Sequence, residues 1–130
     1  MGNPAIEQIL ALLRGHFPQA NVVFTPDSGG GGTVIVEPVE LGAGYVPGST
    51  WLGAQLTSAL PFADIYPLFI GGDVVRADAQ PHPAPISGPH TFAGRAALQV
   101  SRRTNSLQAT VEAAALKFVK VLHHVKELAR

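Results

Sequence analysis

The stretch LGAGYVPGSTWLGAQLTSALPFADIYPLFI, residues 41–70, contains the pattern that decides the fold. Its central part, STWLGAQLTSAL, alternates two sets of side chains: Trp51, Gly53 and Gln55 in one, and Leu52, Ala54 and Leu56 in the other. A period of two is typical of a β-strand. The turn-rich segment GAGYVPG precedes this strand, and YPLFI, residues 66–70, predicts a further short strand after it. The middle of the chain therefore predicts a β-meander.

Two earlier runs extend the meander towards the N-terminus. ANVVFTPDS and TVIVEPVEL are apolar and rich in β-branched residues, and the four glycines 29–32 separate them. This arrangement predicts a hairpin with a glycine-rich tip. A phosphate-binding loop is the alternative, but SGGGGT lacks the Gly-Lys-Ser/Thr ending and does not lead into a helix.

Helical periodicity is found at both ends of the chain. Residues 4–17 place Ile6, Ile9, Leu10, Leu13 and Phe17 on one stripe. Asn3 is the predicted N-cap and Pro4 the first helical residue. Residues 107–130 have a second apolar face, with Asn105 or Ser106 as the predicted cap. The order predicts an α+β fold with an N-terminal helix, an antiparallel meander of about four strands and a C-terminal helix.

The segment before the last helix has two parts. Residues 76–94 contain Pro81, Pro83, Pro85 and Pro89 and almost no periodicity, so they predict a long proline-stiffened loop. GRAALQVSRRTN, residues 94–105, is a strand-like run that ends in Arg102 and Arg103.

Composition limits the classes of function. The chain has 130 residues, 46% of them hydrophobic and 14% charged, which predicts one folded domain over residues 1–130. Nine basic residues balance nine acidic ones, which argues against a nucleic-acid binder. No apolar run approaches the ~20 residues of a membrane span. The first residues, MGNPAIEQILALLRG, lack the basic start of a signal peptide, so we expect a cytoplasmic protein.

Metal and thiol chemistry have little support in the sequence. The chain has no cysteine, which excludes disulfides, zinc–thiolate sites and thiol nucleophiles. Of its five histidines, only His82 and His90 share a segment, and no acidic residue lies near them at a metal-ligand spacing. We therefore predict neither a metal nor a cofactor.

Hydroxyl nucleophiles are the remaining catalytic candidates. No Gly-x-Ser-x-Gly motif is present. Thr91 and Ser101 lie near the proline-rich segment, as does Ser87, and each needs a base to become nucleophilic. His90 is the one histidine close in sequence to Thr91. A turn or surface role is the ordinary alternative for each hydroxyl.

Arg102 and Arg103 have two interpretations. They are either a solvated strand end or a docking site for a carboxylate or an acidic partner, because guanidinium groups bind carboxylates in a bidentate manner. Two cations just ahead of a helix start are unfavourable next to the positive end of the helix dipole. This local cost favours the docking interpretation.

The order of elements and residues 41–70 together resemble the ubiquitin-conjugating (UBC) fold, and above all its divergent bacterial branch from operons for ubiquitin-like modification. The related RWD interaction fold is an equal alternative. In the family a Tyr-Pro pair ends the meander, a place that Tyr66-Pro67 or Pro61-Phe62 would take. His82-Pro83 or His90 would stand where the family has His-Pro-Asn, although neither is followed by asparagine.

The resemblance also implies what GRAAL does. Active members carry the thioester cysteine in a Gly-x-Ile-Cys-Leu-like run, and the match puts Ala97 at the position of that cysteine. Alanine cannot carry an acyl group. The resemblance therefore implies a binding or accessory subunit of a bacterial ubiquitin-like conjugation pathway, acting alone or as a homo- or heterodimer. Its partners would be the modifier or the activating enzyme, bound through Arg102, Arg103, Tyr66 and Pro67.

Two alternatives stay open. One is an enzyme that holds the modifier as an oxyester on Ser101 or Thr91. The other is an unrelated α+β adaptor, in which the aromatic residues Trp51, Tyr66, Phe69 and Phe92 form a partner groove.

Overall fold

A computed structural model describes residues 3–129 of the chain, which form two helices and eight strands. The elements are, in order, α1 (Pro4–His16), β1 (Asn21–Pro26), β2 (Gly32–Glu40), β3 (Tyr45–Val46), β4 (Ser49–Leu56), β5 (Leu68–Gly71), β6 (Val75–Arg76), β7 (Ile86–Phe92), β8 (Arg95–Val100) and α2 (Val111–Leu128). The α+β class, with a helix at each end of an antiparallel sheet, is confirmed.

The main sheet has six antiparallel strands in the order β1-β2-β4-β5-β8-β7. The β1–β2 hairpin closes over the predicted glycine-rich tip, with Asn21 opposite Glu37 and Pro26 opposite Gly32. Strands β3 and β6 form a separate two-stranded sheet. β1 and β7 are therefore the two edges of the main sheet.

The predicted start of α1 is confirmed. The Asn3 side chain accepts hydrogen bonds from the backbone N–H groups of Ala5 (2.9 Å) and Ile6 (3.4 Å), and Pro4 is the first helical residue. An N-cap of this kind satisfies donors that have no partner inside the helix. The predicted apolar stripe of α1 is buried from Ile6 to Leu13.

Both helices and one face of the sheet share a single core. Alternate residues of the central strands point into it, and α2 adds Ala115, Phe118, Val121 and Val125. The opposite face of the sheet has only a small cluster, formed by Ile35, Trp51, Phe92 and Ala97 with Phe69 packed against it. The helices thus lie on one side of the sheet.

The predicted number of strands and the predicted loop at 76–94 are wrong. The sheet has six strands rather than about four, because β7 lies inside the proline-rich segment and pairs with β8. β7 shows no alternation in sequence because it is an edge strand whose residues 87–91 are all exposed. Only its two ends, Ile86 and Phe92, are buried.

The second helix starts later than predicted. Thr110 is its N-cap and accepts a hydrogen bond from the N–H of Ala113 (3.1 Å), so neither Asn105 nor Ser106 is the cap. Residues 101–110 are irregular instead, and Ser106 has a positive φ of 54°. The predicted end of the helix at Arg130 lies outside the described residues. Neither helix, over the residues described, is long and apolar enough to cross a membrane.

Candidate functional site

A buried lysine fixes the irregular segment that precedes α2. Lys117 lies on the inner side of α2, and its side chain is 7% exposed. Its ammonium group donates to both carboxylate oxygens of Asp64 (3.0 and 3.2 Å), to the carbonyl of Arg102 (2.8 Å) and to the hydroxyl of Thr104 (2.8 Å). A buried ammonium is tolerated when it is paired and hydrogen-bonded in this way.

Asp64 completes the network from the segment between β4 and β5. Its carboxylate accepts the backbone N–H of Thr104 (2.8 Å) and the Thr104 hydroxyl (2.7 Å) in addition to Lys117. Partial burial acts to raise the pKa of Asp64. The hydrogen bonds from Thr104 and Lys117 and the positive charge of Lys117 outweigh it, so the pKa of Asp64 is lowered from its ordinary 3.8. Asp64 is therefore ionised at neutral pH.

A cationic pocket opens beside this network. Its volume is about 210 Å³, and it is lined by Arg102, Arg103, Thr104, Asn105, Lys117, Lys120 and Val121. We call it the cationic pocket. Asp64 and the carbonyl of Arg102 already bind the ammonium of Lys117. The positive charge that remains available in the pocket therefore comes from Arg102, Arg103 and Lys120.

Two of these cations are held in place by ring systems. The guanidinium carbon of Arg103 lies 4.0 Å from the centroid of the Tyr66 ring, a cation–π geometry. A guanidinium nitrogen of Arg102 lies 3.3 Å from Nε2 of His124. Burial, Arg102 and His123 all lower the pKa of His124, so its ring is neutral at neutral pH and Nε2 can accept from Arg102. Both guanidinium groups are thus partly preorganised.

Among the described residues, the exposed cations of the pocket have no acidic partner. Over residues 3–129, none of the ion pairs includes Arg102, Arg103 or Lys120. All three are exposed at the surface. Unpaired cations around a concave site attract anions, most strongly carboxylates that an arginine can bind with two hydrogen bonds.

The structure brings together some of the sequence candidates and separates others. Tyr66, Arg102 and Arg103 converge near the cationic pocket. Pro67 does not line it and instead precedes β5. The aromatic groove predicted for an adaptor is divided: Trp51, Phe69 and Phe92 stack on the helix-free face of the sheet, while Tyr66 lies under Arg103.

Ala97 lies in the sheet rather than on a loop. It is 1% exposed, belongs to β8 and pairs with Gly71 on one side and His90 on the other. Its side chain packs in the small aromatic cluster of the helix-free face. No reactive group is presented to solvent at this position.

The candidate hydroxyls and histidines do not form a catalytic pair. His90 and Thr91 are consecutive in β7, so their side chains point to opposite faces of the sheet. The His90 ring instead lies 3.4 Å from the hydroxyl of Ser87, and both side chains are exposed to solvent. The Ser101 hydroxyl accepts a hydrogen bond from the Gln99 amide (2.8 Å).

His82 has a structural environment. Its Nε2 lies 2.8 Å from the carbonyl of Val74 and therefore donates to it, while the ring stacks on Tyr45 at 6.0 Å between centroids. Nδ1 is buried without a hydrogen-bond partner. Because Nε2 is the donor, Nδ1 of the neutral ring is an acceptor, and it has no partner among the described residues. No group of three or more metal-ligating side chains occurs within residues 3–129.

Comparisons with protein-family models, with curated proteins and with solved structures found no match to this chain.

Sequence reasoning missed Asp64, Thr104, Lys117 and Lys120. One signal was available: Lys117 stands three residues after Ala114 and four before Val121, on the apolar stripe of α2. A lysine on such a stripe needs a buried partner. Its partner Asp64 is 53 residues away, and nothing local indicates the pairing.

Proposed function

We propose that this protein is a non-catalytic binding module that holds an acidic segment of a partner protein in the cationic pocket. One observation carries the proposal: Arg102, Arg103 and Lys120 surround a pocket of about 210 Å³, and no ion pair within the described chain satisfies them. The partner would supply aspartate or glutamate side chains, or a terminal carboxylate.

Preorganisation supports specific rather than diffuse binding. The Tyr66 ring restrains Arg103, His124 restrains Arg102, and Asp64 anchors the backbone between them and α2 through Thr104. A side chain that is already ordered loses less conformational entropy when it binds its ligand. The interaction remains exposed to solvent, so salt should weaken it through screening.

The environment of the candidate nucleophiles supports a non-catalytic role. Ala97 is buried and has no functional group, and His90 does not face Thr91. Ser101 is bonded to an amide rather than to a base. An activated hydroxyl requires a base within hydrogen-bond reach.

The identity of the partner is a further part of the proposal. The UBC resemblance implies a ubiquitin-like modifier or its activating enzyme in a bacterial conjugation pathway. Incubation with modifier, activating enzyme and ATP tests this directly: we expect a non-covalent complex. A base-labile, thiol-resistant adduct that is lost on Ser101→Ala or Thr91→Ala would show transfer chemistry and overturn the non-catalytic role.

Binding itself is tested with a fluorescein-labelled peptide rich in aspartate and glutamate, followed by fluorescence anisotropy. We expect saturable binding that weakens with salt and is lost in Arg102→Glu/Arg103→Glu and in Lys120→Glu. Circular dichroism would show that these exposed substitutions leave the fold intact.

Arg14→Glu is the matched control. Arg14 is an exposed arginine near the end of α1, and it does not line the cationic pocket. The substitution makes the same change in net charge as Lys120→Glu. An equal loss of binding in Arg14→Glu, or an unchanged affinity in Arg102→Glu/Arg103→Glu, would remove the pocket from the proposal.

A further inference from the structure

The edge strand β1 has a free side. It pairs only with β2, and over the described part of the chain no hydrogen bond reaches it from any other strand. Its sequence, NVVFTP, has no charged residue. Edge strands of soluble proteins usually have charges, bulges or a covering element that prevents pairing with another chain. β1 has neither a charge nor a bulge.

The hydrogen-bond pattern shows which groups of β1 are free. At the end of the hairpin, the Asp27 N–H donates to the Gly31 carbonyl (2.9 Å). Hydrogen-bonded and non-hydrogen-bonded pairs alternate along an antiparallel ladder. Residues 25, 23 and 21 therefore bond to β2, while the N–H and C=O groups of Val22 and Phe24 point away from the sheet. Pro26 points outward as well, where its missing N–H ends the available ladder.

The opposite edge of the sheet, strand β7, is poorly suited to pairing with a strand of another chain. β7 shifts register against β8 between Ser87 and His90, at Gly88 and Pro89. A bulge and a proline both interrupt strand pairing. The two edges thus differ in a way that leaves β1 as the surface for strand addition.

We propose that two copies of this chain associate through β1, antiparallel, about a two-fold axis at Val23. Val22 of one copy then lies opposite Phe24 of the other, and the two residues exchange both of their backbone hydrogen bonds. Phe24 of the first copy and Val22 of the second form the symmetry-related pair and exchange two more. The interface therefore has four backbone hydrogen bonds, all made by N–H and C=O groups that are unpaired in the single chain. The two six-stranded sheets become one continuous sheet.

The side chains of β1 are complementary to themselves about this axis. Val23, which is 56% exposed, faces Val23 of the second copy in a non-hydrogen-bonded pair, where side chains approach most closely. Val22 lies opposite Phe24 on the helix side, and Asn21 lies opposite Thr25 on the other. No like charges meet. A two-fold interface requires this self-complementarity, which a foreign strand would not need.

The size of the contact sets the expected strength. The ladder joins five residues of β1 per chain, residues 21–25, and falls at the small end of specific interfaces, below roughly 1,200 Å² of total buried surface. We therefore expect a reversible dimer with a dissociation constant in the micromolar to millimolar range. The association does not use the cationic pocket, so it is independent of the proposed binding function.

Sedimentation equilibrium on the full chain tests the dimer. We expect the mass-average molecular weight to rise from monomer towards dimer as the concentration rises to about 1 mM. Val23→Lys places two ammonium groups against each other at the axis and should keep the chain monomeric. Val75→Lys, at a valine of β6 that is 55% exposed, is the matched control and should still dimerise.

A cross-link tests the register, because the natural chain has no cysteine. Val23→Cys should form an intermolecular disulfide on mild oxidation, since the two Cβ atoms lie at bonding separation only across this axis. Val75→Cys should cross-link far more slowly. A chain that stays monomeric at every concentration, or equal rates of cross-linking in Val23→Cys and Val75→Cys, would overturn the proposal. In either variant, retained binding of the acidic peptide would show that the cationic pocket is unaffected.

Discussion

Arg103 and Tyr66 are in contact across two segments that are far apart in sequence. The guanidinium carbon lies 4.0 Å from the centroid of the phenol ring. The Asp64–Thr104 hydrogen bonds join the same two segments next to this contact. The segment between β4 and β5 thus supports the segment that presents the cations, through one ring and one carboxylate.

Replacement of Tyr66 should weaken the cationic pocket without unfolding the protein. Tyr66→Leu removes the ring on which Arg103 rests, and an exposed cation–π contact contributes about 0.5–1 kcal/mol. We expect the affinity for an acidic peptide to fall by about two- to fivefold, measured by fluorescence anisotropy. Tyr66→Phe keeps the ring face and should bind like the natural protein. Equal loss in both variants would assign the effect to the hydroxyl and contradict the stacking argument.

Removal of the Asp64 charge should destabilise the fold. Asp64→Asn leaves the ammonium of Lys117 buried beside a neutral amide. Breaking a fully buried pair costs about 3–5 kcal/mol, and the partial exposure of Asp64 (19% for its side chain) places the expected loss of unfolding free energy near 2–3 kcal/mol. Urea denaturation measures it. The exposed pair Arg95–Glu37 is the control: Glu37→Gln should change stability by less than about 1 kcal/mol.

The same carboxylate makes stability depend on acid pH. The pKa of Asp64 is lowered in the folded state, so as pH falls the unfolded chain takes up this proton first. The contribution of Asp64 to the free energy of unfolding is therefore complete at pH values well above its ordinary pKa of 3.8. It is lost as the pH falls through 3.8 towards the lower pKa that Asp64 has in the folded state. The difference in unfolding free energy between the natural protein and Asp64→Asn should shrink between about pH 6 and pH 3. Because Asp27 and Asp78 also have lowered pKa values and remain in both proteins, the difference isolates Asp64. A constant difference across this range would contradict the assignment.

Local patterns were enough to predict the class of fold. The hairpin around Gly29–Gly32, the Asn3 cap and the alternation after Trp51 each depend on neighbours in sequence, and the structure has all three. β7 was missed because an exposed edge strand has no apolar alternation to detect. The Arg102–Arg103 pair could be singled out as a cationic surface, since two adjacent arginines need no tertiary information.

The remainder of the site depends on contacts between distant segments. Lys117 contacts Asp64 across 53 positions of sequence, and Arg103 contacts Tyr66 across 37. Helix propensity alone does not place the start of α2 either. Asp64 binds the backbone at Thr104 and holds it in an irregular conformation, so the helix begins only after that segment ends.

Gly53 should not tolerate a side chain. It lies in the middle of β4, where a Cβ atom would stand 2.7 Å from Cε2 of Phe92 and 3.0 Å from Cζ3 of Trp51. Those aromatic residues lie flat on the helix-free face of the sheet because glycine leaves the space. Gly53→Ala forces the rings to move and should destabilise the protein by about 1–3 kcal/mol in thermal or urea unfolding. Gly15→Ala, where a Cβ meets nothing within 4 Å, is the control and should have little effect or a slight stabilising one.

The start of α2 can be tested with two cap variants. Thr110 accepts the Ala113 N–H at 3.1 Å, so Thr110→Ala leaves a helix donor without its partner and should lower the unfolding free energy by about 1 kcal/mol. Asn105, one of the two caps that the sequence predicts, lies in the irregular segment and is exposed, so Asn105→Ala should stay within about 0.5 kcal/mol of the natural protein. Urea denaturation of both variants, followed by far-ultraviolet circular dichroism, compares them directly. The reverse order of effects would mean that the helix starts one turn or more earlier, and the segment that presents Arg102 and Arg103 would then be part of the helix rather than anchored by Asp64.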